Sequence, residues 1–357
     1  MDLLIFFVIL SVLVLVHELG HFVTARLCGV AVEEFGFGLP PRAIKLFERK
    51  GTLFSLNWLP IGGFVKLKGE DSDKERVTPD MFYAKPMWKR ALVLVAGVVM
   101  NFVLGVVVFG AVYTYLGIPT KTDRVRIDVI AKDSPAELAG MMVNDWVQKI
   151  RIQNLESRIL NTDELVKLIN DNKGKEITLV VDRGGKEMEI KLTPRENPPP
   201  GEGAAGVVLT NTELIKYPWW QMPWRGALVG ISEAFAWGRE ILGGMGALVM
   251  NLLKGKGVSS DISGPVGIYQ VSAMVAKGGI IPILQFLGVL SINLGILNLM
   301  PFPGLDGGRI AFLGIEKVIG RERKDKFEGT VHTWGIIFLM GLMALITMRD
   351  VWRLFIK

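Results

Sequence analysis

The chain has 357 residues, of which 50% are hydrophobic and 21% are charged, and its mean hydropathy is +0.37. This composition excludes an ordinary soluble protein and indicates several membrane spans joined to a soluble part. The net charge of +6 does not indicate nucleic-acid binding, because much of the Lys and Arg lies in short loops beside apolar runs. The single cysteine, Cys28, excludes an intrachain disulfide and a CxxC zinc site.

Four apolar runs are long enough, or nearly so, to cross a bilayer. They cover about 3–27, 91–116, 280–300 and 334–348. The first run has neither a basic segment before it nor a small-residue cleavage site after it, which predicts a retained span and not a cleaved signal peptide. The fourth run is short and can cross the bilayer only if residues on either side of it belong to the same helix.

The segment between the first two runs, about 31–70, contains partly alternating apolar residues punctuated by Gly and Pro. This pattern predicts short strands and turns. The segment is too polar to span a bilayer, so it is either cytoplasmic or dips into the membrane against the spans.

Residues 120–195 are rich in Asp, Glu and Lys and contain four strand-like stretches and one helix-like stretch, which is capped at Asn161 or Thr162. They predict a small soluble α+β module. The sequence RENPPPGEGAAG that follows, residues 195–206, is typical of a linker.

Residues 217–256 mix tryptophan, apolar residues and a few charges. This mixture favours helices lying at the membrane interface, with the tryptophans at headgroup level. A fifth span is the alternative.

Loop charge predicts the orientation of the spans. Short loops rich in Lys and Arg join runs one and two and runs three and four, so both loops are expected to be cytoplasmic. The two termini and the long 117–279 segment then face the other side.

The first run contains the sequence HELGH, with His17 and His21 four residues apart. On a helix both imidazoles lie on one face and can bind one zinc ion, with Glu18 beside them to activate water. A buried, hydrogen-bonded histidine pair is the alternative. Charged groups in an apolar span are costly, however, which favours the functional interpretation.

A catalytic zinc needs a third protein ligand. Asp306 lies just past the third run, in NLMPFPGLDGGRI, at the same predicted depth as the two histidines. The alternative is an aspartate of a turn ahead of Gly307 and Gly308. The other histidine, His332, is a weaker rival that is better interpreted as an interfacial residue.

These motifs together resemble the site-2 protease family of intramembrane zinc metalloproteases, and most closely its bacterial regulator-of-sigma-E protease branch. The resemblance extends along nearly the whole chain. The sequence AKDSPAELAGMMVNDWVQKI is similar to the core of a PDZ domain. The other matching segments are HELGH, PIGGFVKLKGE, AGVVMNF with Gly97 and Asn101, SGPVGI (Ser263 to Ile268), and NLMPFPGLDGG with Asn298, Pro301, Pro303, Leu305 and Asp306.

The resemblance implies that His17, His21 and Asp306 bind zinc and that Glu18 is the general base. It also implies residues that hold the substrate backbone or the oxyanion, namely Asn298, Asn101, Gly62, Gly63, Phe64 and Pro301. For the two asparagines, an interhelical hydrogen bond is the alternative. The strand around Gly62 to Lys68 is a candidate to pair with an unwound substrate, or it belongs to a hairpin that only packs against the spans.

The expected fold is a polytopic α-helical membrane protein with about four transmembrane helices, a membrane-associated β-region and one inserted PDZ-like domain. The expected domains are 1–116 (the first membrane half, with its β-region at about 31–70), 117–196 (the PDZ-like domain), 197–279 (linker and interfacial amphipathic helices) and 280–357 (the second membrane half). The PDZ-like module has no clear GLGF-type loop, and Asn144-Asp145 replaces the usual Gly-Asp. A size filter for substrates is therefore favoured over a peptide binder.

The expected activity is zinc-dependent hydrolysis of a peptide bond within the transmembrane segment of single-span proteins, such as anti-sigma factors or remnant signal peptides. Another protease is expected to trim these substrates first. The expected location is the bacterial cytoplasmic (inner) membrane, with the active site near the cytoplasmic side and the PDZ domain outside. The partners are the substrate and the lipid bilayer, with no nucleic acid.

Two other classes of function compete with a protease. A metal transporter would need polar residues along a path through several spans, and the later runs carry few. An inactive PDZ scaffold would predict a broken HExxH or a missing aspartate, and both motifs are intact.

Overall fold

The structure is a computed structural model that describes residues 2–70, 77–153, 155–199, 201–255 and 264–355. Ser263 of the SGPVGI motif lies outside the described residues. The helices are α1 (Asp2–Leu27), α2 (Met87–Leu116), α3 (Pro135–Leu138), α4 (Thr162–Asp171), α5 (Met222–Leu253), α6 (Pro265–Ala276), α7 (Ile280–Leu299), α8 (Asp306–Ile319) and α9 (Arg321–Phe355). The strands are β1 (Val32–Arg49), β2 (Thr52–Leu67), β3 (Ile118–Ile130), β4 (Trp146–Ile152), β5 (Leu155–Arg158), β6 (Ile177–Arg183), β7 (Lys186–Leu192) and β8 (Val207–Ile215).

The chain divides into two compact units. One contains Met1–Tyr115 and Trp219–Lys357, and the other is Leu116–Pro218. In the first unit α1, α2, α7 and the Glu328–Trp352 part of α9 are long and apolar enough to cross a membrane. The four predicted spans are therefore matched by four helices. The fourth is longer than predicted, because charged and polar residues at both of its ends shorten the apolar run in the sequence.

Glycine brings the helices of the first unit into close contact. A Cβ on Gly20 of α1 would lie 2.4 Å from the backbone oxygen of Ala96 on α2. A Cβ on Gly105 of α2 would lie 2.5 Å from Cδ1 of Ile292 on α7. Small residues at helix crossings are the usual means of close packing in a bilayer. They place α2 next to both α1 and α7.

In the 217–256 segment, for which interfacial helices are predicted, the structure contains helix α5. It is one continuous helix, and its glycines contact α2: a Cβ on Gly226 would lie 2.6 Å from the oxygen of Gly110, and a Cβ on Gly230 would lie 2.4 Å from the oxygen of Val106. Further along the helix, Ala234 is buried in a cluster with Phe109, Ile292 and Ile296. The few charges of the segment obscured this apolar, glycine-bearing face in the sequence.

The β-region is a curled hairpin of β1 and β2. The first half of β1 pairs with the end of β2, with Val32 opposite Leu67 and Phe37 opposite Gly63, and it also pairs with the beginning of β2. The second half of β1 pairs only with the beginning of β2. Within the described residues only β1 pairs with the end of β2, so that segment lies at an edge of the curled sheet. The end of β2 also packs against α1.

The second unit is a sheet with strand order β7-β6-β4-β3-β8, with β5 paired to β4. Its buried apolar core includes Val125, Ile150, Leu165 and Leu179. Asn161 caps α4, because its side chain accepts a hydrogen bond from the amide of Glu164 at 2.7 Å.

The sequence prediction ended the PDZ-like domain at 196, whereas the compact unit continues to Pro218. The difference is strand β8, which pairs antiparallel with β3 and completes the sheet. The proline-rich stretch before β8 is typical of a linker. The strand itself is mostly half-buried, so its sequence has no strong apolar alternation.

Candidate metal centre

Three side chains from distant parts of the chain converge at one point. Nε2 of His17 lies 3.0 Å from Oδ2 of Asp306, and Nε2 of His21 lies 3.2 Å from the same oxygen. The two Nε2 atoms are 3.1 Å apart. The histidines are buried, and the side chain of Asp306 is 19% exposed. Three potential metal ligands therefore face one another in a largely enclosed place.

The donor set fits zinc. Around a tetrahedral zinc ion with bonds of 2.0–2.1 Å, neighbouring donor atoms lie about 3.3 Å apart, close to the three separations observed here. Two imidazoles and one carboxylate are also a typical catalytic set, which leaves a fourth position open. The pKa of Asp306 lies well below its usual range: burial raises it, but hydrogen bonds and charge from His17 and His21 lower it more. The carboxylate is thus available as a ligand at neutral pH.

The glycine at position 97 makes room for this cluster. A Cβ on Gly97 would lie 2.5 Å from Nε2 of His21 and 2.7 Å from Nε2 of His17. Carbon and nitrogen atoms that are not bonded stay more than 3 Å apart, so a larger residue would occupy the space of the ligands. The sequence resemblance singled out Gly97, and the structure gives the physical reason.

The loop before α8 brings Asp306 to the histidines. Asp306 is the first residue of α8, where a negative charge is favourable for the helix dipole. A Cβ on Gly307 would lie 2.2 Å from the oxygen of Met300, and one on Gly308 would lie 2.3 Å from the oxygen of Phe302. The two glycines therefore allow the loop to fold back onto the helix. The motif begins a helix and does not form the turn of a hairpin.

The ring of His21 is oriented by a second contact. Its Nδ1 lies 2.8 Å from the backbone oxygen of Val93 on α2, so Nδ1 carries the proton and donates it. Nε2 then has a free lone pair for a metal ion. A backbone carbonyl behind a ligating histidine is a common partner that fixes its tautomer.

Asn101 performs the corresponding role for His17. The side chain of Asn101 is fully buried, and its Nδ2 lies 3.2 Å from Nδ1 of His17, while its Oδ1 is buried without a hydrogen-bond partner. With the amide oxygen and nitrogen exchanged, Oδ1 accepts the proton that Nδ1 carries when Nε2 of His17 binds a metal ion. The sequence suggested that Asn101 holds the substrate or oxyanion. Its burial behind His17 favours orientation of the ligand instead.

Glu18 lies next to the cluster, on the turn of α1 between the two histidines, and is half-buried. The end of β2 passes beside it. A Cβ on Gly63 would lie 3.9 Å from Cγ of Glu18 and 3.2 Å from Cδ2 of Leu15. The predicted strand and the predicted base are therefore neighbours.

His332 supports the loop and does not join the cluster. Its Nδ1 accepts a hydrogen bond of 2.7 Å from the amide of Gly304, two residues before Asp306. The interpretation of His332 as a weaker rival for the third ligand position therefore agrees with the geometry.

The other residues predicted to bind the substrate belong to the end of β2 and to the end of α7 with the loop that follows it. Gly62 and Gly63 are buried and Phe64 is half-buried at the end of β2, where Gly62 faces Val14 of α1. Asn298 is half-buried near the end of α7, and Pro301 is exposed in the following loop. Within the described residues, Asn298 forms no hydrogen bond with the three converging side chains.

Comparison with known proteins gives the family. Residues 5–342 match the model of peptidase family M50. The regulator of sigma-W protease RasP of Bacillus subtilis is 28% identical, with 98% of each chain covered. The zinc metalloprotease RasP of Oceanobacillus iheyensis is also 28% identical, with 98% of this chain and 99% of the relative covered. A Clostridium perfringens relative is 33% identical, with 96% of each chain covered.

The chain therefore belongs to peptidase family M50, the site-2 proteases, and is a membrane-bound zinc metalloprotease. The resemblance first found in the short motifs is confirmed at the level of the family, the enzyme class and the metal.

Proposed function

We propose that this M50 protein hydrolyses a peptide bond within the transmembrane segment of single-span membrane proteins. The observation that carries the proposal is the convergence of His17, His21 and Asp306 beside Glu18, on and next to helices that are apolar enough to span a membrane. A site on membrane-spanning helices is suited to peptide bonds within the bilayer, which soluble proteases do not reach.

In this proposal His17, His21 and Asp306 hold the zinc ion, and Glu18 is the general base. A zinc ion held by these three side chains would polarise the scissile carbonyl and lower the pKa of its bound water to about 7. Glu18 accepts a proton from the attacking water as its oxygen bonds to the carbonyl carbon. The same carboxyl group then donates the proton to the amide nitrogen as the carbon–nitrogen bond breaks.

The edge of β2 is the proposed docking strand for the substrate. A transmembrane helix must unwind before its peptide bond can be attacked, and unpaired backbone groups in lipid are costly. An edge strand offsets this cost by pairing with the unwound segment. The stretch from Gly62 to Lys68 is suitable because it lies at a sheet edge and passes beside Glu18. Asn298 and Pro301 are proposed to contact the substrate near the same place.

The substrates are proposed to be of the anti-sigma-factor or remnant signal-peptide type, trimmed first by another protease. The Bacillus subtilis relative, which is named a regulator of sigma-W protease, supports the first type. Loop charge supports a location in the bacterial inner membrane, with the site near the cytoplasmic side. We propose that the Leu116–Pro218 unit is an extracytoplasmic PDZ-like domain that excludes substrates with large outer domains. Its core of strands with a capped helix supports that assignment.

Cleavage of a purified single-span substrate in lipid vesicles tests the proposal. Wild type and Glu48→Gln, a change on the exposed tip of the β-region, should both cleave within the span. Glu18→Gln should keep its zinc and lose cleavage by a factor of about 100–10,000, since the general base is removed. Cleavage by Glu18→Gln at the wild-type rate would contradict the proposal, and so would cleavage outside the transmembrane segment.

A further inference from the structure

Glu70 connects two elements of the site. It follows β2 by three residues, and its Oε2 lies 3.4 Å from the amide of Leu67, the last residue of that strand. Its Oε1 forms an ion pair with Nη1 of Arg309 on α8. The side chains of Glu70 and Arg309 are 20% and 36% exposed, so the pair is partly shielded from water. One carboxylate thus contacts both the end of β2 and α8.

Arg309 lies three residues after Asp306, in the first turn of α8. The amide of Arg309 donates to the oxygen of Leu305 at 3.3 Å, and the amide of Gly308 donates to the same oxygen at 3.1 Å. These bonds make the first turn rigid, so a displacement of Arg309 also displaces Asp306. The ion pair with Glu70 therefore acts on the position of the aspartate.

The pair borders a cavity of about 410 Å³, which Gly304 of the Asp306 loop also lines. Arg90, Glu328 and His332 also line this cavity. Arg90 forms a buried, bidentate ion pair with Glu316, further along α8. In the part of the chain that the structure describes, these two ion pairs anchor the helix. The one nearer to Asp306 comes from the β-region.

We propose that Glu70 is a positioning residue that couples the substrate-docking end of β2 to Asp306. The inference rests on the proposed function of both elements. When a substrate pairs with β2, the strand end becomes more rigid. The Glu70–Arg309 pair transmits this rigidity to the first turn of α8. Substrate docking and the geometry of the metal ligand are then linked through one ion pair.

Glu70→Gln removes the charge and tests the link. Groups that orient metal ligands from behind typically change affinity or activity 10–100-fold, so zinc loss to a chelator should become about 10-fold faster and kcat should fall about 10-fold. KM should change much less than kcat, because the docking strand itself remains. Arg309→Gln should produce the same pattern.

Asp80→Asn is the matched control. Asp80 lies in the same part of the chain and also forms an ion pair, with Lys68 at 2.8 Å, but this pair does not include α8. It should keep wild-type zinc retention and kcat. The exchanged pair Glu70→Arg with Arg309→Glu should recover a large part of the loss seen in the single variants. If Glu70→Gln does not fold, Glu70→Asp, which keeps the charge but shortens the side chain, should show the same pattern more weakly.

The inference is overturned if Glu70→Gln, or Glu70→Asp in its place, has the same zinc retention and kcat as Asp80→Asn. It is also overturned if the exchanged pair recovers neither zinc retention nor kcat. It is also overturned if KM rises and kcat stays unchanged, because Glu70 would then only form part of the docking strand. A wild-type protein that binds zinc but does not cleave single-span substrates would instead contradict the proposed function, and the inference with it.

Discussion

Gly97→Ala should weaken zinc binding by at least about 100-fold while leaving the fold intact. The added Cβ would lie 2.5 Å from Nε2 of His21 and 2.6 Å from Cε1 of His17. Normal contacts of this kind are about 3.5 Å, so the imidazoles would have to retreat by about 1 Å. They are held from behind by Val93 and Asn101, so their retreat breaks these bonds. A misplacement of that size costs about 100-fold, and we expect zinc affinity and kcat/KM each to fall by at least that factor.

The assay is competition with a chelator on the detergent-purified protein, followed by elemental analysis for zinc. Gly105→Ala is the matched control, because it introduces the same methyl group on the same helix. Its Cβ would lie 2.5 Å from the end of the Ile292 side chain, which costs about 1–3 kcal/mol of packing but does not affect the ligands. Replacing glycine by alanine also favours a helix by about 1 kcal/mol. Wild-type zinc affinity in Gly97→Ala would refute the reasoning.

Two further predictions concern groups away from the reacting atoms. Asn101→Leu should weaken zinc binding about 10–100-fold, because Nδ1 of His17 loses its partner; the same competition assay checks it, and unchanged affinity would show that Asn101 does not orient His17. Asp145→Asn should lower the free energy of opening of the 116–218 unit by about 3 kcal/mol at pH 7, because Asp145 is fully buried against Arg183. Burial raises the pKa of Asp145, but its bonds with Arg183 lower it more, so the pKa is lower in the folded unit than in the unfolded chain. The carboxylate therefore stabilises the unit fully at pH values above its unfolded pKa of about 3.9. This stabilisation is lost as the pH falls from there through the lower folded pKa. Hydrogen exchange of the full chain should therefore separate wild type and variant at pH 7 and converge in acid, and equal exchange at pH 7 would exclude a stabilising role for the carboxylate.

The sequence was sufficient for the parts of the site that depend on local periodicity. Two histidines four residues apart share a face of any helix, so the HELGH pair needed no knowledge of packing. The predicted depth of Asp306 in the membrane followed from the direction in which the third span crosses the bilayer. The family resemblance then joined the two motifs, and the match to the family model confirmed it.

Other features depend on how distant segments meet. The contact of Asn101 with His17 exists because α1 and α2 cross at Gly20 and Ala96, which the sequence of neither helix specifies. The same is true of the Glu70–Arg309 pair, whose members are 239 residues apart. No local signal in the sequence indicated either partner.

Two elements were obscured by their composition. Strand β8 follows a proline-rich stretch and is mostly half-buried, so the apolar alternation that marks a strand is weak. Helix α5 has tryptophans and charges that are typical of an interface. Its packing against α2 depends on Gly226 and Gly230, whose effect is visible only beside the partner helix.

The zinc content of three purified proteins tests the central claim most directly. Wild type and Glu18→Gln should each hold about one zinc ion per chain, because Glu18 is proposed as the base and not as a ligand. Asp306→Ala should lose the metal, since two histidines alone leave the donor set incomplete. Full zinc in Asp306→Ala would contradict the assignment of the third ligand, and a wild-type protein without zinc would contradict the whole account of the site.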